Sequence, residues 1–235
     1  SNAVGLAIAQ ANFGATYNKP GFELSNNYTY AMLGDGCLQE GVSSEACSLA
    51  GHLQLGNLIA FYDDNKITID GATNVSFTED VLKRYEAYGW EVLTVNGGND
   101  DLDAIANALE QAKLTTDKPT LIKLETTIGY GSLNQGTSGV HGSPLKPDDV
   151  KQLKSRFGFN PEEKFVVPQE VYDFYNQNII VPGKKANAEW DALFAKYTEQ
   201  YQVEGATIAR RLRGELPQGW ESKLPLYTPK DSAVA

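Results

Sequence analysis

The sequence is poor in basic residues and has no long apolar stretch. It carries 20 Lys and Arg against 30 Asp and Glu, which gives a formal net charge of −10. This balance argues against a nucleic-acid partner, because neutralising a phosphate backbone requires clustered Lys and Arg. No apolar run approaches the roughly 18 residues of a membrane span, and no signal-like segment opens the chain. We therefore expect a cytoplasmic protein that binds neither nucleic acid nor a membrane.

Cysteine and methionine are also scarce. Cys37 and Cys47 lie ten positions apart without the spacing of a metal site, so we expect two reduced thiols. The single methionine is Met32, inside a predicted strand, and Ser1 leads directly into a predicted helix. We therefore expect the 235 residues to be a piece of a longer protein, folded as one large domain or as a domain with an extension.

Apolar strands alternate with helical segments over the first 146 residues. The pattern predicts strands at 29–33, 57–62, 90–95 and 119–124, and helices at about 2–17, 39–55, 81–88 and 102–112. Gly56 is a plausible C-cap, and Ser76-Phe-Thr-Glu79 fits a capping box. We assign the tyrosines at strand or helix spacing to the core. Such alternation is typical of an α/β fold, a parallel sheet with helices on both faces.

From residue 147 onwards the pattern becomes helical. It predicts helices at 148–157, 169–178 and 186–213, separated by proline and glycine. We therefore divide the chain into an α/β core at 1–146, a helical extension of the same domain at 147–215, and a linker at 216–235.

Acidic and amide side chains follow two of the predicted strands. Gly34-Asp35-Gly36 comes directly after the first strand, and Asp63-Asp64-Asn65 ends the second. Ligands of parallel sheets bind beyond the carboxyl ends of the strands, so we expect these groups to share one site. Asp35 and the Asn65 amide oxygen would bind Mg²⁺ that holds a diphosphate, and the Ile67 carbonyl would complete the oxygen ligands. The alternative is that Gly34-Asp35-Gly36 is an ordinary turn without a ligand, as an isolated Gly-Asp-Gly sequence usually is.

Further motifs surround these strand ends. They are Gly34-Asp-Gly-Cys-Leu-Gln-Glu-Gly41, Ser44-Glu-Ala46, Leu49-Ala-Gly-His-Leu53, Asp64-Asn-Lys-Ile-Thr-Ile-Asp-Gly71, Thr126-Thr-Ile-Gly-Tyr-Gly-Ser132, Val140-His-Gly142 and Trp220-Glu-Ser222. Gly-Asp-Gly followed by a helix, a strand and Asp-Asn resembles the thiamine-diphosphate fingerprint, and the complete set resembles the transketolases of the yeast type. The resemblance covers essentially the whole chain and implies the thiamine-diphosphate-binding fold.

The resemblance assigns the cation and diphosphate ligands to individual residues. It implies that Asp35, Asn65 and the Ile67 carbonyl hold Mg²⁺, for which Ca²⁺ can substitute. It also implies that Gly34, Gly36 and Asn65 contact the diphosphate of thiamine diphosphate.

Four further residues gain roles from the same resemblance. Ile128 would line the cofactor pocket, and His141 would act as a catalytic residue near the diphosphate and the reacting end of the sugar. Another histidine often stands three residues earlier in the family, where this chain has Ser138. Glu40 and Glu45 would point into a subunit interface. The alternatives are a structural role for His141, and helix-start acids favoured by the macrodipole for Glu40 and Glu45.

The resemblance implies a function as well. The protein would transfer a two-carbon ketol group from a ketose phosphate such as xylulose 5-phosphate to an aldose phosphate, in the pentose phosphate pathway. It would act as a homodimer with active sites at the subunit interface. The family's catalytic glutamate lies in a pyrimidine-binding domain that would follow the linker, so we expect the 235 residues alone to be inactive.

Two alternatives remain at this point. The protein could be a ketol transferase of the dihydroxyacetone synthase kind, or a non-catalytic fragment that serves dimerisation or regulation. The retention of both Asp35 and Asn65 argues against the second alternative.

Overall fold

The computed structural model describes residues 1–228 and residue 230, which cluster into two compact units. The first unit consists of residues 1–18 and 25–168, and the second of residues 19–24 and those from 169 onwards. Within the predicted linker 216–235, Trp220–Lys223 forms a 3-10 helix. Residue 229 and residues 231–235 of that linker lie outside the described residues.

The elements follow one another as the sequence pattern predicts, with some different boundaries. The strands are β1 (Thr29–Gly34), β2 (Leu58–Asp64), β3 (Ile67–Thr68), β4 (Gly71–Ala72), β5 (Glu91–Val95) and β6 (Thr120–Glu125). The helices are α1 (Asn2–Tyr17), α2 (Asp35–Gln39), α3 (Gly41–His52), α4 (Val81–Ala87), α5 (Leu102–Leu114), α6 (Pro147–Arg156), α7 (Gln169–Tyr175), α8 (Val181–Gln200) and α9 (Gln202–Leu212).

The main sheet is parallel, with the strand order β1-β2-β6-β5. Alternate residues of β2 face opposite sides of this sheet, as the twofold period of a strand requires. Leu58, Ala60 and Tyr62 join a core cluster with residues of α1, α3 and α4, whereas Ile59 and Phe61 pack with residues of α5. Helices therefore cover both faces, and the predicted fold class is confirmed.

Three local predictions in the first unit are wrong. The segment that begins at Asp35 is the short helix α2 rather than a turn, and the extended backbone of Glu40 separates it from α3. Gly56 is not the cap of α3. A Cβ at Gly56 would lie 2.1 Å from the Thr116 carbonyl oxygen, so close backbone approach requires glycine there. The N-cap of α4 is Asp80, whose side chain accepts a hydrogen bond from the backbone N–H of Lys83.

The second unit is built around α8 and α9. The predicted helix 186–213 is interrupted at Tyr201, whose φ of −120° and ψ of 69° are not helical. Pro182 does not separate two helices, because a π-helical segment at Asn176–Ile180 joins α7 to α8 and the backbone at Ile180 and Val181 is helical. The ring of Phe22 packs edge-on against Tyr197 and Tyr201, and the Trp190 indole donates a hydrogen bond to the Leu24 carbonyl.

Neither cysteine forms a disulfide with the other. Cys37 is exposed, Cys47 is buried, and both are free thiols. None of the helices formed by residues 1–228 and 230 is long and apolar enough to cross a membrane.

Candidate functional site

The parallel pairing of β1 with β2 brings the two predicted ligand segments to one edge of the sheet. Gly34 at the end of β1 is in register with Asp63 near the end of β2. The ends of the two strands are therefore neighbours. Asp35 follows the end of β1, and Asn65 follows the end of β2. This edge is the carboxyl edge, where parallel sheets bind ligands.

A cavity of about 610 Å³ opens at this edge. Seven of the predicted site residues line it, namely Gly34, Asp35, Gly36, Glu40, Asn65, Ile67 and His141. Two predicted residues are not among its lining. Glu45 is exposed on α3, and Ile128 is half-buried, with its carbonyl accepting a hydrogen bond from the N–H of Gly136 at 2.9 Å.

Asp35 is a buried carboxylate, only 3% exposed. One of its oxygens, Oδ1, accepts a hydrogen bond from the Tyr62 hydroxyl at 2.5 Å. The other, Oδ2, is buried and has no hydrogen-bond partner among the described residues. Burial raises the pKa of this carboxyl above its usual value, and the hydrogen bond from Tyr62 only partly opposes the shift. A buried carboxylate oxygen without a partner is costly, so its position beside a cavity points to a bound cation.

Asp64 is also buried, but its charge is already paired within the fold. Its Oδ2 lies 2.6 Å from the Lys66 ammonium and 3.4 Å from that of Lys123. Its Oδ1 lies 3.0 Å from the Tyr62 hydroxyl. Because two ammonium groups already pair with the charge of Asp64, Asp35 rather than Asp64 is the carboxylate available to an incoming cation.

The Asn65 side chain is held in one orientation by its neighbours. Its Nδ2 donates a hydrogen bond to the Asp63 Oδ2 at 3.2 Å, and its Oδ1 accepts one from the Ile67 N–H at 3.0 Å. Lys66 between them has a φ of 64°, a left-handed conformation that turns the chain sharply. Since an amide oxygen has two lone pairs, Oδ1 keeps one for a further partner.

His141 enters the cavity from the glycine-rich loop that follows β6. Its Nδ1 is buried and has no hydrogen-bond partner within the part of the chain that the structure describes. The loop is fastened to α6 by two hydrogen bonds. Asp149 accepts one from the Leu133 N–H at 3.0 Å, and the Gln152 side chain donates one to the Gly131 carbonyl at 3.1 Å. The histidine is therefore presented by an anchored loop.

The donor set fits a hard cation that carries phosphate oxygens. The available ligands are the Asp35 Oδ2, the Asn65 Oδ1 and the Ile67 carbonyl, all oxygens of the kind that Mg²⁺ and Ca²⁺ prefer. No group of three or more His, Cys, Asp or Glu side chains in residues 1–228 and 230 is placed to hold a metal ion by itself. A Cβ at Gly34 or Gly36 would meet no atom within 4 Å, so both glycines leave open space for the anion.

Comparison with known families tests the resemblance that the sequence motifs carry. Residues 1–217 match the family described as "Transketolase, thiamine diphosphate binding domain". The chain belongs to this family. The resemblance found in the sequence motifs is therefore confirmed, and a thiamine-diphosphate-binding domain agrees with the cavity at the carboxyl edge of the sheet.

Similar transketolases are known from several organisms. The chain is 74% identical to the transketolase of Kluyveromyces lactis and 71% identical to transketolase 1 of Saccharomyces cerevisiae, over all 235 residues. These residues correspond to 34% and 35% of the two relatives. The chain thus spans about a third of the length of the transketolases it matches.

Solved transketolase structures show the same fold. The transketolase of Pichia stipitis in complex with sedoheptulose 7-phosphate superimposes with a TM-score of 0.93 at 60% identity, covering 99% of this chain and 34% of that one. The Leishmania mexicana transketolase gives 0.91 at 47% identity, covering 97% of this chain and 34% of that one.

The sequence pattern did not reveal the residues that contact the predicted metal ligand Asp35. It assigned Tyr62 to the core, and it gave no role to Asp64, Lys66 or Lys123. The sequence did contain a hint, because alternate residues of a strand lie on the same face of a sheet. Tyr62 and Asp64 therefore share one face of β2 near its carboxyl end. The contact between Tyr62 and Asp35 depends on the register of β1 with β2, which the sequence alone leaves open.

Proposed function

We propose that the protein carrying this chain is a transketolase. It transfers a two-carbon ketol group from a ketose phosphate, such as xylulose 5-phosphate, to an aldose phosphate in the pentose phosphate pathway. The observation that carries the proposal is the buried Asp35, whose unpaired Oδ2 lies beside a cavity lined by Gly34 and Gly36. The names of the relatives and the sugar phosphate in the Pichia stipitis complex agree with it.

Each residue of the cavity has a distinct part in this proposal. Asp35, Asn65 and the Ile67 carbonyl hold Mg²⁺, with Ca²⁺ as a substitute, because all three contribute oxygen. Gly34 and Gly36 leave room for the diphosphate of the cofactor. When bound, thiamine diphosphate supplies the carbanion chemistry of ketol transfer, while the protein supplies position and electrostatics.

His141 is the proposed catalytic residue of this chain. Its unpartnered Nδ1 is buried, so a sugar hydroxyl or carbonyl that enters the cavity would meet it without competition from bulk water. An imidazole in such a place can hold or move a proton at the reacting end of the sugar. Ile128 is proposed to contact the cofactor beyond the diphosphate.

The exposed carboxylates of Glu40 and Glu45 support a proposal about assembly. Glu40 directly precedes α3 and lines the cavity, whereas Glu45 lies on α3, and both are exposed in the single chain. We assign them to the interface of a cytoplasmic homodimer whose active sites lie between the subunits. We also expect the 235 residues alone to be inactive and to bind thiamine diphosphate weakly at best.

An acceptor screen on the intact protein tests the proposed function. Xylulose 5-phosphate is supplied as donor, with thiamine diphosphate and Mg²⁺, and ribose 5-phosphate or a one-carbon aldehyde is supplied as acceptor. Transfer to ribose 5-phosphate that requires both cofactor and cation supports a transketolase. Transfer to the one-carbon aldehyde alone indicates a dihydroxyacetone synthase instead. If neither acceptor reacts, the proposal of an active ketol transferase is wrong.

A further inference from the structure

The Tyr62 hydroxyl lies between two buried carboxylates. It is 2.5 Å from the Asp35 Oδ1 and 3.0 Å from the Asp64 Oδ1. A hydroxyl has one proton to donate, so the two carboxylates do not receive it equally. Asp64 already has the ammonium groups of Lys66 and Lys123 within 2.6 Å and 3.4 Å. Asp35 has no basic partner at salt-bridge distance among the described residues, and it also makes the shorter contact.

This hydrogen bond leaves Asp35 with one oxygen for a cation. Oδ1 is occupied by Tyr62, whereas Oδ2 is buried beside the cavity and has no partner in the described part of the chain. A carboxylate held in this way binds a cation through a single oxygen. Mg²⁺ requires near-ideal octahedral geometry with single-oxygen ligands, whereas the larger Ca²⁺ readily accepts both oxygens of a carboxylate.

The Tyr62 ring cannot easily move to release Oδ1. The side chain is 3% exposed and belongs to the core cluster that includes Leu38, Leu58 and Leu121. Its backbone is fixed by the pairing of β2 with both β1 and β6. The direction of the hydroxyl is therefore set by the packing of the sheet and not by solvent.

We propose that Tyr62 is a positioning residue for the cation, and that it favours Mg²⁺ over Ca²⁺ by reserving one Asp35 oxygen. The proposal rests on the proposed function, because it takes Asp35 as a cation ligand. Without the hydroxyl, Asp35 is free to rotate or to offer both oxygens, which weakens its interaction with Mg²⁺ more than that with Ca²⁺.

Titration of the intact protein with each cation tests this inference. The affinities of Mg²⁺ and Ca²⁺ are measured by calorimetry at saturating thiamine diphosphate, for the parent protein and for Tyr62→Phe. The substitution removes the hydroxyl and keeps the ring. We expect Mg²⁺ to bind about 10- to 100-fold more weakly, as is typical when a group that orients a metal ligand is lost. Ca²⁺ should lose less, so the ratio of the two affinities shifts towards Ca²⁺.

A matched control is Tyr85→Phe. Tyr85 is buried in the same core cluster, and its hydroxyl lies 3.2 Å from the Cys47 Sγ, away from the cation ligands. This variant should keep the parent affinities for both cations. Only folded molecules bind either cation. A lower folded fraction in Tyr62→Phe therefore leaves the ratio of the Mg²⁺ and Ca²⁺ affinities unchanged.

The outcomes separate the inference from the proposed function. Unchanged Mg²⁺ affinity in Tyr62→Phe, or equal losses for Mg²⁺ and Ca²⁺, would overturn the positioning role. Asp35→Ala is titrated in parallel. If Asp35→Ala abolishes cation binding while Tyr62→Phe has no effect, only the role of Tyr62 is wrong. If Asp35→Ala also leaves the affinities unchanged, the cation site itself is wrong.

Discussion

Gly36 offers a way to separate cofactor binding from folding. It is the second residue of α2 and lines the cavity, and a Cβ built on it would meet no atom within 4 Å. Gly36→Ala should therefore fit the folded chain without a clash. Since glycine inside a helix is less favourable than alanine by about 0.5–1 kcal/mol, the stability should stay the same or rise slightly.

The same methyl group should weaken cofactor binding, because it occupies space assigned to the diphosphate. Forcing an extra methyl into a filled site costs about 1–3 kcal/mol. At about 1.4 kcal/mol for each factor of ten, this corresponds to roughly 5- to 150-fold weaker binding. The effect of Gly36→Ala on affinity should thus be large and adverse, while its effect on stability is small and neutral or favourable.

Calorimetric titration of thiamine diphosphate at saturating Mg²⁺, together with thermal unfolding of the cofactor-free protein, measures both effects. The control is Gly5→Ala on α1, which also meets no atom within 4 Å and does not line the cavity. The control should bind the cofactor as the parent does. If Gly36→Ala also binds with the parent affinity, the assignment of this space to the diphosphate is refuted.

Two further predictions concern packing and chemistry. A Cβ at Gly51 would lie 1.8 Å from the Tyr88 carbonyl oxygen, so Gly51→Ala should destabilise the protein by about 3 kcal/mol, whereas Gly5→Ala should not. The unfolding midpoints of the two variants are compared. Equal midpoints would contradict the packing of α3. His141→Phe should lower the turnover of ketol transfer by about 100-fold or more, because it removes a group that carries protons. Its effect on cofactor affinity should be smaller. Turnover equal to that of the parent protein would exclude a catalytic role for His141.

The sequence predicted the fold and the position of the site because both depend on short-range patterns. Alternation of strands and helices is sufficient for a parallel sheet, and the carboxyl ends of such strands meet at one edge. Asp35 and Asn65 follow two strands that pair directly, with Gly34 opposite Asp63. Their meeting at one cavity could therefore be predicted before any distance was known.

The parts that the sequence did not predict depend on tertiary contacts or on competition between neighbours. Tyr62 has the strand spacing of a core residue, and its ring is indeed in the core, but its hydroxyl contacts Asp35, which follows the neighbouring strand β1. Ser76 fits a capping box, yet Asp80 caps α4. Both residue types are good N-caps, but residues 77–79 are not helical, so Asp80 rather than Ser76 stands at the start of α4.

Cation-dependent binding of thiamine diphosphate tests the central claim most directly. The cofactor is titrated calorimetrically into the intact protein with Mg²⁺ and with a chelator, for the parent and for Asp35→Ala. We predict that the parent binds the cofactor tightly only when Mg²⁺ is present, and that Asp35→Ala loses this dependence together with the affinity. Equal affinity with and without the cation, or a parent-like response of Asp35→Ala, would contradict the claim that Asp35 anchors the diphosphate through a metal ion.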